Sequence, residues 1–135
     1  MRFIDTNILV YSISEARQDA KKREAAIGIL DEGDCALSVQ VLQEFYVQAT
    51  RASRPRPLPH EPAVRLMQSW MRFPVVDMTT AILRDALAIR ERHRFNYWDC
   101  AIVAAARASG CDTVFTEDLT HGQIVEGVRI VNPFR

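Results

Sequence analysis

The sequence predicts an α/β protein, a three-layer α/β/α sandwich built on a mainly parallel sheet. Short apolar runs alternate along the chain with longer segments whose apolar residues recur at helical spacing, and residues typical of caps and turns separate them. With 135 residues, the chain is long enough for one domain with its own core and too short for two. Residues 1–135 are therefore predicted to form a single domain.

The first half of the chain contains two predicted strands. Arg2 to Ile4 is the first, and a helix follows it from Thr6. An amphipathic helix from about Asp19 to Glu32 leads to the second strand, residues 35–38. Ser38 can cap the next helix, which runs to about Arg51, because its hydroxyl can accept a hydrogen bond from a free N–H of the first turn.

The second half begins with a proline-rich segment, Arg54 to Pro62, which is predicted to end the preceding helix and form a stiff connection. The elements expected after it are a helix to about Met71, a strand at 74–78, a helix capped by Thr79 or Thr80 and ending near Arg92, a helix opened by Asn96 or Tyr97 and stopped by Gly110, and strands at 112–115 and 128–131.

Composition favours a soluble, cytoplasmic protein. The formal net charge is zero, so nucleic-acid binding would require local basic clusters or metal ions. No secretory signal pattern or long apolar run is visible. The cysteines, Cys35, Cys100 and Cys111, form no CxxC pair and are predicted to be small core residues in a reducing compartment.

Four acidic residues stand in apolar surroundings: Asp5, Glu44, Asp99 and Asp118. A buried lone charge costs roughly several kcal/mol unless it is paired or binds a metal. In open parallel sheets, functional groups collect beyond the carboxyl ends of the strands, and Asp5 and Asp118 each follow a predicted strand. Four carboxylates gathered there would require cations, and hard oxygen ligands suit Mg²⁺ or Mn²⁺.

Each acid also has an ordinary structural explanation. Asp5 could cap the helix from Thr6, and Asp99 could stabilise a helix N-terminus in the first turn. Asp118 could be a turn residue, and Glu44 lies at the border of an apolar helix face. Either Glu117 or Asp118 could be the inward carboxylate of its loop. The matching sheet topology opposes the interpretation that all four acids are merely structural.

With these residues in place, the chain resembles the PIN-domain family, and within it the VapC toxins of type II toxin–antitoxin pairs. Four segments carry the resemblance in order along the whole length: "FIDTNILVY", "LSVQVLQEFYV", "NYWDCAIVAAARASGC" and "VFTEDLTHGQIVEGVRIVNPF". They contain Asp5, Glu44, Asp99 and Asp118 as the acids. Asn7 and Thr116 occupy the polar positions that support them.

The resemblance implies a five-stranded parallel sheet in the order 3-2-1-4-5 and a Mg²⁺- or Mn²⁺-dependent endoribonuclease. It also implies a homodimer inhibited by a cognate VapB-type antitoxin, with tRNA or rRNA as substrate. Asp5, Glu44 and Asp99 would hold the principal metal directly or through water, and Asp118 would complete that site or support a second one. Metal held by carboxylates can activate water and neutralise charge in phosphodiester hydrolysis.

Contacts to the RNA backbone are expected from five arginines: Arg51, Arg54, Arg56, Arg92 and Arg94. Phosphate contacts bind RNA without selecting its sequence, so they do not identify the target. Trp98 could stack on a base, but packing in the core is the favoured prediction. Trp70 is expected in the core or at an interface.

Three other functions compete with the toxin. A PIN nuclease could process or degrade RNA or cut branched DNA, and a PIN fold could serve as a non-catalytic scaffold. The four retained acids oppose the scaffold. A dinucleotide-binding or flavodoxin-like domain is disfavoured, because the chain has no GxGxxG or GxxxxGK[ST] loop to cradle phosphates.

Overall fold

The computed structural model describes residues 1–135 and shows a central, mostly parallel sheet flanked by helices. The strands are β1 Arg2–Ile4, β2 Cys35–Ser38, β3 Val75–Val76, β4 Thr113–Phe115, β5 Ile124–Val125 and β6 Val128–Val131. The helices are α1 Thr6–Ser12, α2 Ala20–Glu32, α3 Val39–Thr50, α4 His60–Trp70, α5 Thr80–His93 and α6 Tyr97–Ala108, with one 3-10 turn at Arg17–Asp19. The predicted fold class is confirmed.

The sheet contains six strands in the order β3-β2-β1-β4-β6-β5. The five strands that the sequence predicted are β1–β4 and β6, and they pair in parallel. Because β6 is the fifth predicted strand, their order is the 3-2-1-4-5 that the family resemblance implied. The sequence prediction lacked β5, which pairs antiparallel with β6 at the edge. Glu126 and Gly127 join these two strands with φ of 51° and 83°, the left-handed conformations that a tight two-residue hairpin turn requires.

The central strand β1 marks the point where the chain changes direction across the sheet. β1 pairs with β2 on one side and with β4 on the other. Chain segments that leave the carboxyl ends of these strands therefore diverge and open a crevice at that edge. Asp5 follows β1 directly and lies at this crevice.

Side-chain caps fix where the helices α3, α5 and α6 begin. Each cap is a residue that the sequence analysis proposed for the start of that helix. Ser38 Oγ accepts from the Val41 N–H at 3.3 Å, Thr79 Oγ1 from the Ile82 N–H at 3.2 Å, and Asn96 Oδ1 from the Asp99 N–H at 3.0 Å. These bonds satisfy N–H groups that have no partner within the helix. The cap at Asn96 sets the position of Asp99 in the first turn of α6.

The proline-rich connection is shorter than predicted. The next helix, α4, begins at His60 with Pro59 as its N-cap, so Pro62 lies in the first helical turn. Proline is tolerated there because the first N–H groups of a helix have no intrahelical acceptor, and proline lacks that hydrogen.

A core of 31 buried hydrophobic residues packs the helices against the sheet. The three cysteines belong to it and are free, as predicted. Trp70 is also in the core, with its ring edge-on to Phe45 at a centroid distance of 4.7 Å. None of the helices combines the length and the apolar character needed to cross a lipid bilayer.

The prediction that Trp98 packs in the core is wrong, because 62% of this residue is exposed. Helix α6 is buried from Cys100 to Ala106, and its first turn extends beyond the packed layer at the edge of the sheet. Helical spacing alone cannot show where along its axis a helix leaves the core.

The two apolar residues Phe45 and Val47 of α3 provide a matched test of the core. Phe45 is fully buried and Val47 is 63% exposed. We expect Phe45→Ala to lower the free energy of unfolding in urea by about 3–5 kcal/mol, whereas Val47→Ala changes it by less than about 0.5 kcal/mol. A comparable loss in both variants would contradict the solvent exposure of Val47 in solution.

Candidate metal centre

Three carboxylates meet at the carboxyl edge of the sheet. Asp5 follows β1, Asp99 lies in the first turn of α6, and Asp118 lies in the loop after β4. Each offers an oxygen atom, and these atoms all lie within 4.8 Å of one another. The structure thus brings together three of the four acids that the sequence singled out.

Asp5 is the most buried member of the cluster, with only 5% of the residue exposed. Its Oδ1 accepts from the Thr6 N–H at 2.7 Å, which also caps α1, and its Oδ2 accepts from the Thr116 hydroxyl at 2.8 Å. Burial raises the pKa of Asp5 to about 7, although both hydrogen bonds oppose the rise. The nearby charges of Asp118 and Glu44 raise it further.

Asp99 is held by the residue that caps its helix. Asn96 Oδ1 accepts from the Asp99 N–H at 3.0 Å, and Asn96 Nδ2 donates to Asp99 Oδ2 at 2.7 Å. The two contacts fix the carboxylate against the helix N-terminus. Burial and then the charge of Asp118 raise the pKa of Asp99, while the bond from Asn96 lowers it.

Asp118 is the inward carboxylate of its loop. Its backbone N–H donates to Thr116 Oγ1 at 3.0 Å, and its Oδ2 accepts from Asn7 Nδ2 at 3.3 Å. Burial is the main cause that raises the pKa of Asp118, followed by the charge of Glu117. Glu117 itself turns away from the cluster and bonds to Tyr11 and Lys22.

Glu44 lies at the margin of the cluster. Its Oε2 accepts from the Thr6 hydroxyl at 3.0 Å, and its Oε1 accepts from Gln40 Nε2 at 2.9 Å. The backbone N–H of the same Thr6 donates to Asp5. The structure therefore links Glu44 to Asp5 through one residue and leaves it outside the group of three.

Thr116 and Asn7 connect the carboxylates. The Thr116 hydroxyl donates to Asp5 and accepts from the Asp118 N–H and from Asn7 Nδ2, the latter at 3.2 Å. One hydroxyl can make one donation and accept twice, so all three bonds are compatible. Because these contacts tie the loop after β4 to α1, they orient Asp118 relative to Asp5.

Two further residues of the site, Thr6 and Gln40, were missed by the sequence analysis. Gln40 is only 4% exposed, and it donates to Glu44 and to the Trp98 carbonyl at 3.4 Å. Its spacing of four from Glu44 was the available signal, since residues i and i+4 are neighbours on a helix.

The donor set fits a hard divalent cation. None of the four acids takes part in an ion pair with a lysine, arginine or histidine. Carboxylate oxygens are the ligands that Mg²⁺ and Mn²⁺ prefer. Asn7, whose Nδ2 donates to Asp118, also carries a buried side-chain oxygen without a hydrogen-bond partner.

The five candidate RNA-contacting arginines lie in two groups. Arg51, Arg54 and Arg56 line a cavity of about 480 Å³ between the end of α1 and the proline-rich connection. Arg56 pairs with Glu15 at 2.5 Å. In the second group, Arg92 pairs with Glu126, and Arg94 is exposed in a left-handed conformation (φ 60°) at the end of α5. Arg51, Arg54 and Arg94 form no ion pair.

A family model described as "PIN domain" matches residues 2–125, so the chain belongs to the PIN-domain family. The family resemblance drawn from the four sequence segments is confirmed. No curated protein sequence matches the chain.

Solved structures share the fold at low sequence identity. A toxin–antitoxin complex from Klebsiella pneumoniae matches with a TM-score of 0.71 and 19% identity, covering 98% of each chain. The VapC20 toxin of Mycobacterium tuberculosis, described as cleaving the sarcin–ricin loop, matches with a TM-score of 0.69 and 19% identity. The match covers 96% of this chain and 99% of the other. DNA-bound VapBC from Salmonella typhimurium matches with a TM-score of 0.64 and 22% identity, covering 96% of this chain and 95% of the other.

The raised pKa of Asp5 predicts that this carboxylate destabilises the metal-free fold at neutral pH. The carboxyl group has a pKa near 4 in the unfolded chain and about 7 in the folded protein. It does not affect stability below pH 4, and the stability that it removes grows as the pH rises from 4 through 7. The full effect is up to about 4 kcal/mol. We therefore expect Asp5→Asn to melt at a higher temperature than the wild type in EDTA at pH 8, with a smaller difference at pH 5.

Asp31→Asn is the matched control, because Asp31 is exposed and forms no ion pair. Its melting temperature should follow the wild type at both pH values. A less stable Asp5→Asn protein at pH 8 would refute a net electrostatic cost at this position.

Proposed function

We propose that residues 1–135 form one nuclease domain, a metal-dependent endoribonuclease that acts as the toxin of a VapBC-type toxin–antitoxin pair. Its substrate would be structured RNA, either tRNA or rRNA. The observation that carries the proposal is the convergence of Asp5, Asp99 and Asp118 at the carboxyl edge of a PIN-family sheet. No lysine, arginine or histidine pairs with any of the three. Such a centre can hold the metal that phosphodiester hydrolysis uses.

Asp5, Asp99 and Asp118 would hold Mg²⁺ or Mn²⁺, with Glu44 contributing directly or through water. The bound metal would neutralise charge on the phosphate and lower the pKa of a water molecule. Asp5 must be ionised to act as a ligand, and the bonds from the Thr6 N–H and the Thr116 hydroxyl favour that form. Asn7 holds Asp118 in position in the same way.

Water is the nucleophile that the site supports best. No cysteine or histidine belongs to the cluster. The two hydroxyl groups at the site, from Thr6 and Thr116, are only 3% and 1% exposed and are engaged in hydrogen bonds to carboxylates. Neither is accessible to a phosphodiester, so direct hydrolysis is proposed in place of a covalent intermediate.

The RNA would approach over the exposed rim of the centre. Trp98 is next to Asp99 in the first turn of α6, and its exposure favours stacking on an unpaired base. Arg51, Arg54 and Arg94, which have no acidic partner, are the strongest candidates for phosphate contacts among the five arginines. Arg56 and Arg92 are partly neutralised by Glu15 and Glu126.

The toxin role rests on the kinds of protein that share the fold. The similar structures include toxin–antitoxin complexes from several bacteria, and two of them are VapBC complexes. We therefore propose a VapB-type antitoxin as the partner, a homodimer as the assembly and the cytoplasm as the location. Exposed apolar residues such as Met71, Leu83 and Leu87 are available for these contacts.

Cleavage of total RNA tests the enzyme directly. We expect the isolated protein to give discrete products with Mg²⁺ or Mn²⁺ and none with EDTA, and Asp5→Asn and Asp99→Asn each to lower the rate by at least about 100-fold, because each removes a ligand charge. Asp31→Asn should cleave like the wild type. Undiminished cleavage by either centre variant would contradict the assignment, and a folded protein without metal binding or cleavage would favour a scaffold.

The arginine contacts predict a change in salt dependence. We expect Arg51→Gln, Arg54→Gln and Arg94→Gln each to weaken RNA binding and to reduce the slope of log affinity against log salt by about 0.7 to 1. Arg84→Gln is the control, because Arg84 is exposed and lies far from the acid cluster. Its neighbour Asp85 pairs with Arg107, which is in the last turn of α6, whereas Asp99 is in the first turn. An equal effect at Arg84 would reveal non-specific charge attraction.

A further inference from the structure

Three side chains from separate elements form a closed hydrogen-bonded group beside the acid cluster. Tyr11 of α1 donates from its hydroxyl to Glu117 Oε1 at 2.7 Å. Lys22 of α2 donates from Nζ to Glu117 Oε2 at 3.1 Å and to the Tyr11 hydroxyl at 3.1 Å. Each member therefore contacts the other two, and we refer to Tyr11, Lys22 and Glu117 as the brace.

Aromatic rings fix the position of the lysine. Its Nζ lies 4.7 Å from the centre of the Tyr11 ring and 5.8 Å from that of Phe134, and these two rings meet edge to face at 4.9 Å. Lys22 is thus held by charge, hydrogen bonds and cation–π contacts together. An isolated surface ion pair would constrain the loop much less.

The brace contacts the loop segment that carries Asp118, because Glu117 belongs to both. Thr116 and Asp118 face the acid cluster, where Asp5 and Asn7 bind them. Glu117, between them, points away from the acid cluster and binds the other two members of the brace, Tyr11 and Lys22. The loop is therefore attached to α1 through Asn7 and Tyr11 and to α2 through Lys22, and its attachment through Glu117 restrains the carboxylate of Asp118.

Charge makes the restraint necessary. Glu117 is a further carboxylate next to a cluster of three, and like charges at this distance repel. Lys22 is the only cation paired with an acid of this loop. Without it, Glu117 would keep only the bond from Tyr11, its charge would be unpaired, and the loop would lose its attachment to α2.

We infer that Lys22 and Tyr11 are positioning residues for the metal centre, which act through Glu117 to hold Asp118 in its ligand position. The inference rests on the proposed metal-dependent function, but it concerns residues outside the proposed ligand set. It predicts that disturbing the brace weakens metal binding although no ligand is altered.

Mn²⁺ affinity separates positioning from a simple charge effect. Tyr11→Phe removes one hydroxyl, keeps the ring and changes no charge, and we expect it to weaken Mn²⁺ binding by about fivefold. Lys22→Met removes a positive charge near the centre, so electrostatics alone would strengthen the binding of a cation. Positioning predicts the opposite sign, a weakening of at least about fivefold. The measurement is titration of free Mn²⁺ by electron paramagnetic resonance.

Lys21→Met is the matched control, because Lys21 carries the same charge on the same helix, is exposed and forms no ion pair. It should bind Mn²⁺ like the wild type or slightly more tightly. Circular dichroism verifies folding of each variant, and Tyr11→Phe keeps the test valid if Lys22→Met does not fold. Wild-type affinity in Tyr11→Phe, or tighter binding in Lys22→Met, would overturn the positioning role.

The two proposals fail in different ways. A folded wild-type protein that binds Mn²⁺ no better than Asp5→Asn overturns the metal centre and the positioning role together. A wild type that binds Mn²⁺ tightly, with brace variants that bind equally well, overturns the positioning role alone.

Discussion

The repulsion among Asp5, Asp99 and Asp118 is the constraint on which the rest of this structure depends. Three carboxylates within 4.8 Å, one of them almost fully buried, oppose folding at neutral pH unless protons or cations neutralise them. The remaining fold must supply the energy that holds them there. The core of 31 buried residues does so, since burial of apolar surface is the largest favourable contribution to folding. The strain is thus confined to one edge of the sheet.

The acids meet because each lies where a regular element begins or ends. Asp5 ends β1 and caps α1, Asp99 occupies the capped first turn of α6, and Asp118 follows β4. Parallel pairing of β1 with β4 brings two of these ends to the same edge. Backbone N–H groups and the side chains of Thr116, Asn7 and Asn96 then orient the oxygens. Asp5 and Asp99 therefore combine a structural role at a helix N-terminus with a place in the proposed metal site.

Most of the fold could be predicted from the sequence, and the failures have physical causes. The apolar runs and caps located β1–β4, β6 and the helices within a few residues, but strand order came from family resemblance. β5 was missed because two residues show no periodicity. The exposure of Trp98 and the burial of Gln40 depend on where helices end relative to the core, which spacing does not encode. Contacts between distant residues, such as Lys22 with Glu117, are set by tertiary structure alone.

The central claim is that the three carboxylates form a binding site for a divalent cation. The most direct measurement is an anomalous difference map from crystals soaked in Mn²⁺, recorded near the manganese absorption edge. The account predicts a strong peak among Asp5, Asp99 and Asp118, with Glu44 bound directly or through water, and its absence in crystals of Asp99→Asn. Well-ordered wild-type crystals with no peak at this position, or with manganese only elsewhere, would contradict it.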